Sequence, residues 1–176
     1  IVVPHICTKE EAIQAKKSTL YSPYGIAGIC PPIRASHYTS ADWDEYLLYN
    51  RTDIMLMPII EDPLAVENID EILSVLDPNV DTIWFGRADY AQCLLKEGEK
   101  MDWVAPRIME DFQKVLDSAK KYGINVLAAT FPECTPECAK ANIDIGAKIV
   151  LFSIDEMMYF NACASLVKGM EKIMGE

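Results

Sequence analysis

The chain has 176 residues, with 16 Lys and Arg against 27 Asp and Glu, for a formal net charge of −11 at pH 7; 51% of the residues are hydrophobic and 24% charged. That composition suits one domain with a sizeable core, and three tryptophans, eight tyrosines and five phenylalanines exclude a disordered solvating tail. The acidic balance argues against nucleic acid as the main partner, because phosphate binding draws on a basic surface. No apolar stretch approaches the roughly 20 residues needed to cross a bilayer, so no membrane partner is expected either.

Ile1–Ile6 reads as a buried strand rather than a signal peptide: it lacks a basic leading region, and no initiator Met precedes it. The chain is therefore expected to begin inside a larger protein. Thr8, with Glu11 three residues on, is a capping box opening a helix through about Ser18. Ser22-Pro23-Tyr24-Gly25 is a turn, Gly25 to Ser40 a long loop without steady period, and Asp42 to Asn50 a short helix. Ile54–Ile60 is a second strand, continuously apolar as parallel strands covered on both faces are. Pro63 fits the first turn of a helix running to Leu76.

Asp77-Pro78-Asn79 turns into a third strand, Val80–Phe85, ended by Gly86, and a polar stretch follows. A helix from Pro106 to Tyr122 is capped by Gly123. Ile124–Ala128 is a strand, Pro136–Ile145 a helix, Lys148–Phe152 a fifth strand, and Ile154–Met174 largely helical. The six cysteines (Cys7, Cys30, Cys93, Cys134, Cys138 and Cys163) sit singly within these patterns. That suits a reduced, cytoplasmic protein better than a disulfide-held secreted one.

The alternation βαβαβαβαβα predicts a parallel sheet with helical crossovers. A doubly wound sheet and a (β/α)8 barrel both produce it. The absence of a Gly-rich phosphate turn counts against the nucleotide-binding open sheets. Acids that recur just after strand ends, at Glu61, Asp89, Glu133 and Asp155, favour a TIM barrel, whose sites form there. A barrel needs about 250 residues, so residues 1–176 correspond to about strands 4–8 of one barrel domain, with roughly 80 further residues expected on the N-terminal side.

Glu61 and Asp89 lie 28 residues apart, one βα repeat. Neighbouring parallel strands are about 4.8 Å apart, so both carboxylates can converge on one point. A shared divalent ion such as Mg²⁺ or Mn²⁺ would relieve their repulsion. The plainer alternative is a pair of solvated loop acids or helix caps.

Met57-Pro58-Ile59-Ile60-Glu61, then Ala65–Ile72, then Val80-Asp81-Thr82-Ile83-Trp84-Phe85-Gly86-Arg87-Ala88-Asp89 resemble the HpcH/HpaI aldolase family. Val3-Pro4, Tyr21–Gly28 and Arg34-Ala35-Ser36 fit the same family in the same order. The resemblance implies a phosphoenolpyruvate/pyruvate-type barrel and a metal-dependent (class II) aldolase. Such an enzyme cleaves a 4-hydroxy-2-oxo acid to pyruvate, or a related 2-oxo acid, and an aldehyde through an enolate that the metal stabilises. It further implies that Glu61 and Asp89 bind the metal (Mg²⁺ or Mn²⁺, with Co²⁺ an option) and that the peptide groups of Gly86, Arg87 and Ala88 lie beside the substrate carboxylate. The family's catalytic His and Arg come from the first three strands, which this sequence does not contain.

Two departures from the family pattern are Ala27, where Arg is usual, and Arg87, where Pro is usual; two extra residues lengthen the connection at Leu76–Asn79. Arg87 is either a carboxylate-binding group or the partner of a neighbouring acid. No lysine Schiff base is required, and Lys148 lies at the wrong end of its strand. His5 is a possible pocket residue, expected as pocket lining or a hydrogen-bonded core histidine ahead of an acid–base role. Arg34 is expected to anchor its loop, while His37 is either near substrate or exposed. Cys134 and Cys138, four apart, could share a helix face as half of a soft metal site, but are expected as buried structural thiols. The apolar last helix suggests a homo-oligomer, and the resemblance implies a hexamer as one form. Two other functions compete: an acyl-CoA lyase of the citrate-lyase-β or malyl-CoA lyase type, and a catalytically silent barrel serving as an interaction subunit.

Overall fold

A computed structural model describes residues 1–38, 42–130 and 132–175. Five strands alternate with helices: β1 (Val2–Val3), α1 (Lys9–Thr19), α2 (Trp43–Asp53), β2 (Met57–Ile60), α3 (Pro63–Glu67), α4 (Ile69–Leu73), β3 (Thr82–Phe85), α5 (Arg87–Leu94), α6 (Pro106–Tyr122), β4 (Asn125–Ala129), α7 (Pro136–Ile145), β5 (Ile149–Leu151) and α8 (Asp155–Met174). All pairings are parallel, and the strands lie side by side in chain order. The order never reverses, as a doubly wound sheet would require. The expected barrel takes a narrower form, however. These residues make a five-stranded sheet flanked by helices, with β1 and β5 as its edges, and no closed eight-stranded ring.

Local chemistry fixes several boundaries. Thr8 Oγ1 accepts from Glu11 N at 3.2 Å while Glu11 Oε2 accepts from Thr8 N at 3.0 Å, completing the capping box of α1. Pro106 starts α6 and Gly123, at φ 72°, ends it in the left-handed conformation that an L side chain resists. The buried stripe of α6 (Ile108, Phe112, Val115, Leu116, Ala119) packs on Ile83, Phe85 and Val126 of the sheet. Asp81, before β3, accepts from Lys16 Nζ at 2.6 Å and from the amides of Leu56 and Asp77 at 3.0 and 2.9 Å. That buried hub ties α1 to the foot of the sheet.

Four segments differ from their sequence reading. The strand expected to be buried over Ile1–Ile6 is the two-residue β1, with Ile1 and Val2 exposed at the sheet edge. The helix expected from Pro63 to Leu76 is two short helices broken at Asn68, whose side chain donates to Cys7 O at 2.9 Å across 61 residues of chain. The stretch after Gly86, read as polar, contains α5; its buried face includes Arg87 beside Tyr90 and Ala91, so the cation disguised an apolar stripe. Among its described residues the Gly25–Ser40 loop contains one 3-10 turn, at Arg34–Ser36; its last positions, 39 and 40, lie outside them. Helix α8 buries none of its residues.

Candidate active site

The register of β2 against β3 pairs Ile60 with Phe85, so the next residues, Glu61 and Gly86, leave the sheet side by side at its C-terminal edge. Gly86 N donates to Ile60 O at 3.0 Å. A Cβ at Gly86 would stand 2.7 Å from Glu61 Oε2 and 2.8 Å from Glu61 Cβ. Glycine is therefore required for the Glu61 side chain to lie where it does, not for any unusual backbone angle. Asp89 follows in the first turn of α5.

Glu61 is 4% exposed. Burial pushes its carboxyl above the ordinary carboxylate range. His5 opposes this through its amide and its charge, and Asp89 pushes the carboxyl up again through charge and a side-chain hydrogen bond. The two acids thus sense each other directly. His5 N donates to Glu61 Oε1 at 2.9 Å, and His5 Nδ1 lies 3.3 Å from the same oxygen. His5 holds this position in a left-handed conformation, φ 55°, which a histidine adopts at some cost.

Glu61 and Asp89 line a cavity of about 490 Å³, whose walls come from the exits of β2, β3, β4 and β5 and from the start of α8. Arg87 and Ala88 lie on one side, Thr130 and Glu133 on the other, with Phe152, Ile154 and Met157 supplying apolar surface. Thr130 Oγ1 donates to Phe152 O at 2.7 Å, fastening the β4 and β5 exits together. The amides of Ala88 and Asp89 precede the first intrahelical bond of α5, Tyr90 N to Gly86 O. Donors in such a first turn suit an anionic group.

The structure thus brings Glu61, Gly86, Arg87, Ala88, Asp89 and Glu133 to one cavity; Asp155 sits just beyond it in the first turn of α8. His5 touches Glu61 but is no core histidine, its side chain being 72% exposed. Arg34 and His37 are exposed in the other loop. Around His37 a separate cavity of about 480 Å³ is lined by Asp42, Glu45, Tyr46 and Tyr49 and shares no residue with the first. Cys134 and Cys138 are not a buried pair. Cys134 is exposed ahead of α7 and Cys138 half-buried within it, so they share no helix face, and all six cysteines are free thiols. Sequence reading missed Asn142, which bonds both Arg87 and β4; 55 residues separate it from Arg87, and no local pattern marks the pair.

Among the described residues, no group of three or more His, Cys, Asp and Glu side chains could hold a metal ion. Of the three acids lining the cavity, Glu61 and Asp89 follow adjacent strands β2 and β3, and their hard oxygen donors fit a Mg²⁺-like ion that would keep its remaining positions for water and substrate oxygens.

Residues 1–162 match the sequence profile of the HpcH/HpaI aldolase/citrate lyase family. The chain belongs to that family. It is 28% identical over 165 residues to a 2-keto-3-deoxy-L-rhamnonate aldolase of Escherichia coli K12, covering 92% of this chain but 57% of that protein. It thus spans little more than half the length of such curated relatives. In fold it is similar to an HpcH/HpaI aldolase from Desulfitobacterium hafniense, with a TM-score of 0.82 at 25% identity over 97% of this chain and 62% of that one. A family member from Burkholderia cenocepacia superposes with the same TM-score at 22% identity, over 97% and 64% of the two chains. No helix among the described residues is long and apolar enough to cross a membrane.

Proposed function

We propose that the intact protein is a metal-dependent aldolase that cleaves a 4-hydroxy-2-oxo acid to pyruvate, or a related 2-oxo acid, and an aldehyde. The observation that carries this reading is the pairing of Glu61 and Asp89 at adjacent strand exits within one cavity. Family membership and the E. coli aldolase support it. Glu61 and Asp89 would hold a Mg²⁺, Mn²⁺ or Co²⁺ ion, which when bound supplies Lewis-acid stabilisation where negative charge grows on the substrate oxygen, an effect of several kcal/mol.

The rest of the site is the chain's own contribution. The His5 amide fixes one Glu61 oxygen and so sets the orientation of that carboxylate. The amides of Ala88 and Asp89 face an anionic substrate carboxylate at the start of α5. Phe152, Ile154 and Met157, all exposed in this chain, give the cavity an apolar wall beside the acids. The apolar residues of α8, among them Tyr159 at 75%, Phe160 at 70% and Ile173 at 80% exposure, fit a homo-oligomer contact.

The test is turnover of a panel of 4-hydroxy-2-oxo acids, with 2-keto-3-deoxy-L-rhamnonate included and malyl-CoA as the thioester comparison. The full-length protein is assayed with and without chelator. Cleavage of an oxo acid that chelation abolishes and Mn²⁺ restores is expected, and Glu61→Gln should remove most of it while the protein stays folded. Selective cleavage of malyl-CoA would replace this reading with the acyl-CoA lyase, and no turnover of any substrate would leave the silent barrel.

A further inference from the structure

Arg87 occupies the first position of α5, two residues before Asp89, yet its side chain is 5% exposed. The guanidinium lies 5.4 Å from the centre of the Phe112 ring of α6 and donates from Nη2 to Asn142 Oδ1 of α7 at 3.3 Å. Asn142, 4% exposed, uses its other end to donate to the carbonyl of Ala129, the last residue of β4, at 2.9 Å. One buried side-chain relay therefore runs from the helix turn carrying Asp89 to the strand exit that forms the opposite wall of the cavity. Phe112 in turn stacks on Phe85 of β3 at 4.6 Å, so the cation rests on a floor that cannot easily move.

We infer that Arg87 is a positioning residue: through Asn142 it holds the first turn of α5, and with it Asp89, at a fixed distance from the exit of β4. The inference rests on the two-acid reading of the site for its consequence, but the relay stands without any ligand. Arginine suits the task because its planar fork bonds along one edge while its face lies on an aromatic ring. Replacement by methionine keeps much of the bulk over Phe112 and leaves Asn142 Oδ1 without this donor.

Amide hydrogen exchange on the full-length protein, free of metal and substrate, tests the relay itself. Arg87→Met is expected to speed exchange at least about tenfold at the hydrogen-bonded amides among residues 86–92 and at 130, the factor that loss of a hydrogen bond to a charged group gives. Helix α1 should be unchanged. Asn142→Ala, which cuts the relay from the other side, should reproduce the pattern, and the double variant should fall short of the sum of the two singles, because both remove the same Arg87–Asn142 bond. Mn²⁺ alone, titrated into the same proteins, should bind about tenfold more weakly in both variants.

A uniform rise in exchange across the core would overturn the inference, since that is general destabilisation. So would unchanged exchange around residues 86–92, additive effects in the double variant, or Mn²⁺ affinity intact in both singles while the parent binds well. A parent protein that binds no Mn²⁺ would instead refute the two-acid site, and the exchange pattern would still decide the relay. Should Arg87→Met fail to fold, Asn142→Ala decides it alone.

Discussion

Replacing Gly86 with alanine would press directly on Glu61. The new Cβ would stand 2.7 Å from both Glu61 Oε2 and Ile59 Cγ2, and 2.8 Å from Glu61 Cβ. Non-bonded carbons rest at about 3.5–4.0 Å, so these neighbours must retreat by most of an ångström. The carboxylate oxygen can swing aside, but Glu61 Cβ and Ile59 Cγ2 move only if β2 moves with them. The backbone itself does not object: Gly86 has φ −79° and ψ 74°, on the side of the map open to L residues.

Overpacking of this kind costs about 1–3 kcal/mol, against about 0.4–1 kcal/mol regained because alanine restricts the unfolded chain. A net loss of about 1–2 kcal/mol is expected in urea unfolding, together with weaker Mn²⁺ binding, because the displaced group is the proposed ligand. Gly28→Ala is the matched control, since its Cβ would meet nothing within 4 Å, and it should cost nothing. A Gly86→Ala protein as stable as its parent, with Mn²⁺ affinity unchanged within about twofold, would refute the close packing of Glu61 on Gly86.

Lys16→Met should destabilise by about 3–5 kcal/mol in urea unfolding, because it strips the cation from the buried Asp81 hub; Lys17→Met, on the neighbouring residue, is the comparison. Burial alone would raise the Asp111 carboxyl, but hydrogen bonds from Lys114 and Tyr90 and the nearby Lys114 and Arg107 charges outweigh it and hold the group below its ordinary value. A depressed carboxyl stabilises the fold above its unfolded pKa and loses that contribution as pH falls through the folded one. The stability gap between the parent and Asp111→Asn should therefore be widest near neutrality and shrink below about pH 4, as unfolding curves at stepped pH would show. Truncation after residue 160 removes helix residues that are themselves unburied in this fold. Light scattering should show the proposed oligomer dissociating while circular dichroism shows the remaining core folded, and a monomeric parent would defeat the oligomer.

The sequence by itself determined the elements whose causes are local. The Thr8–Glu11 box, Pro106 and Gly123 around α6, and Pro136 at the head of α7 act through bonds spanning a few residues, and each marks a boundary found in the structure. The continuous apolar run of β2 and the alternation of strands with helices foretold a parallel sheet covered by helices, and the one-repeat spacing of Glu61 and Asp89 pointed both acids to its C-terminal edge. Only the tertiary structure decided the rest, because the forces involved act between distant residues. Asn68 breaks a helix to reach Cys7, 61 positions away. The sequence leaves Arg87 as either a carboxylate-binding group or the partner of a neighbouring acid, yet Phe112 and Asn142, brought in by α6 and α7, give it a buried place. Glu61 owes its setting to distant groups: burial beside Gly86, which follows β3, resists its charge, and the amide of His5, which follows β1, offsets that, contacts that the strand register creates and no spacing along the chain encodes.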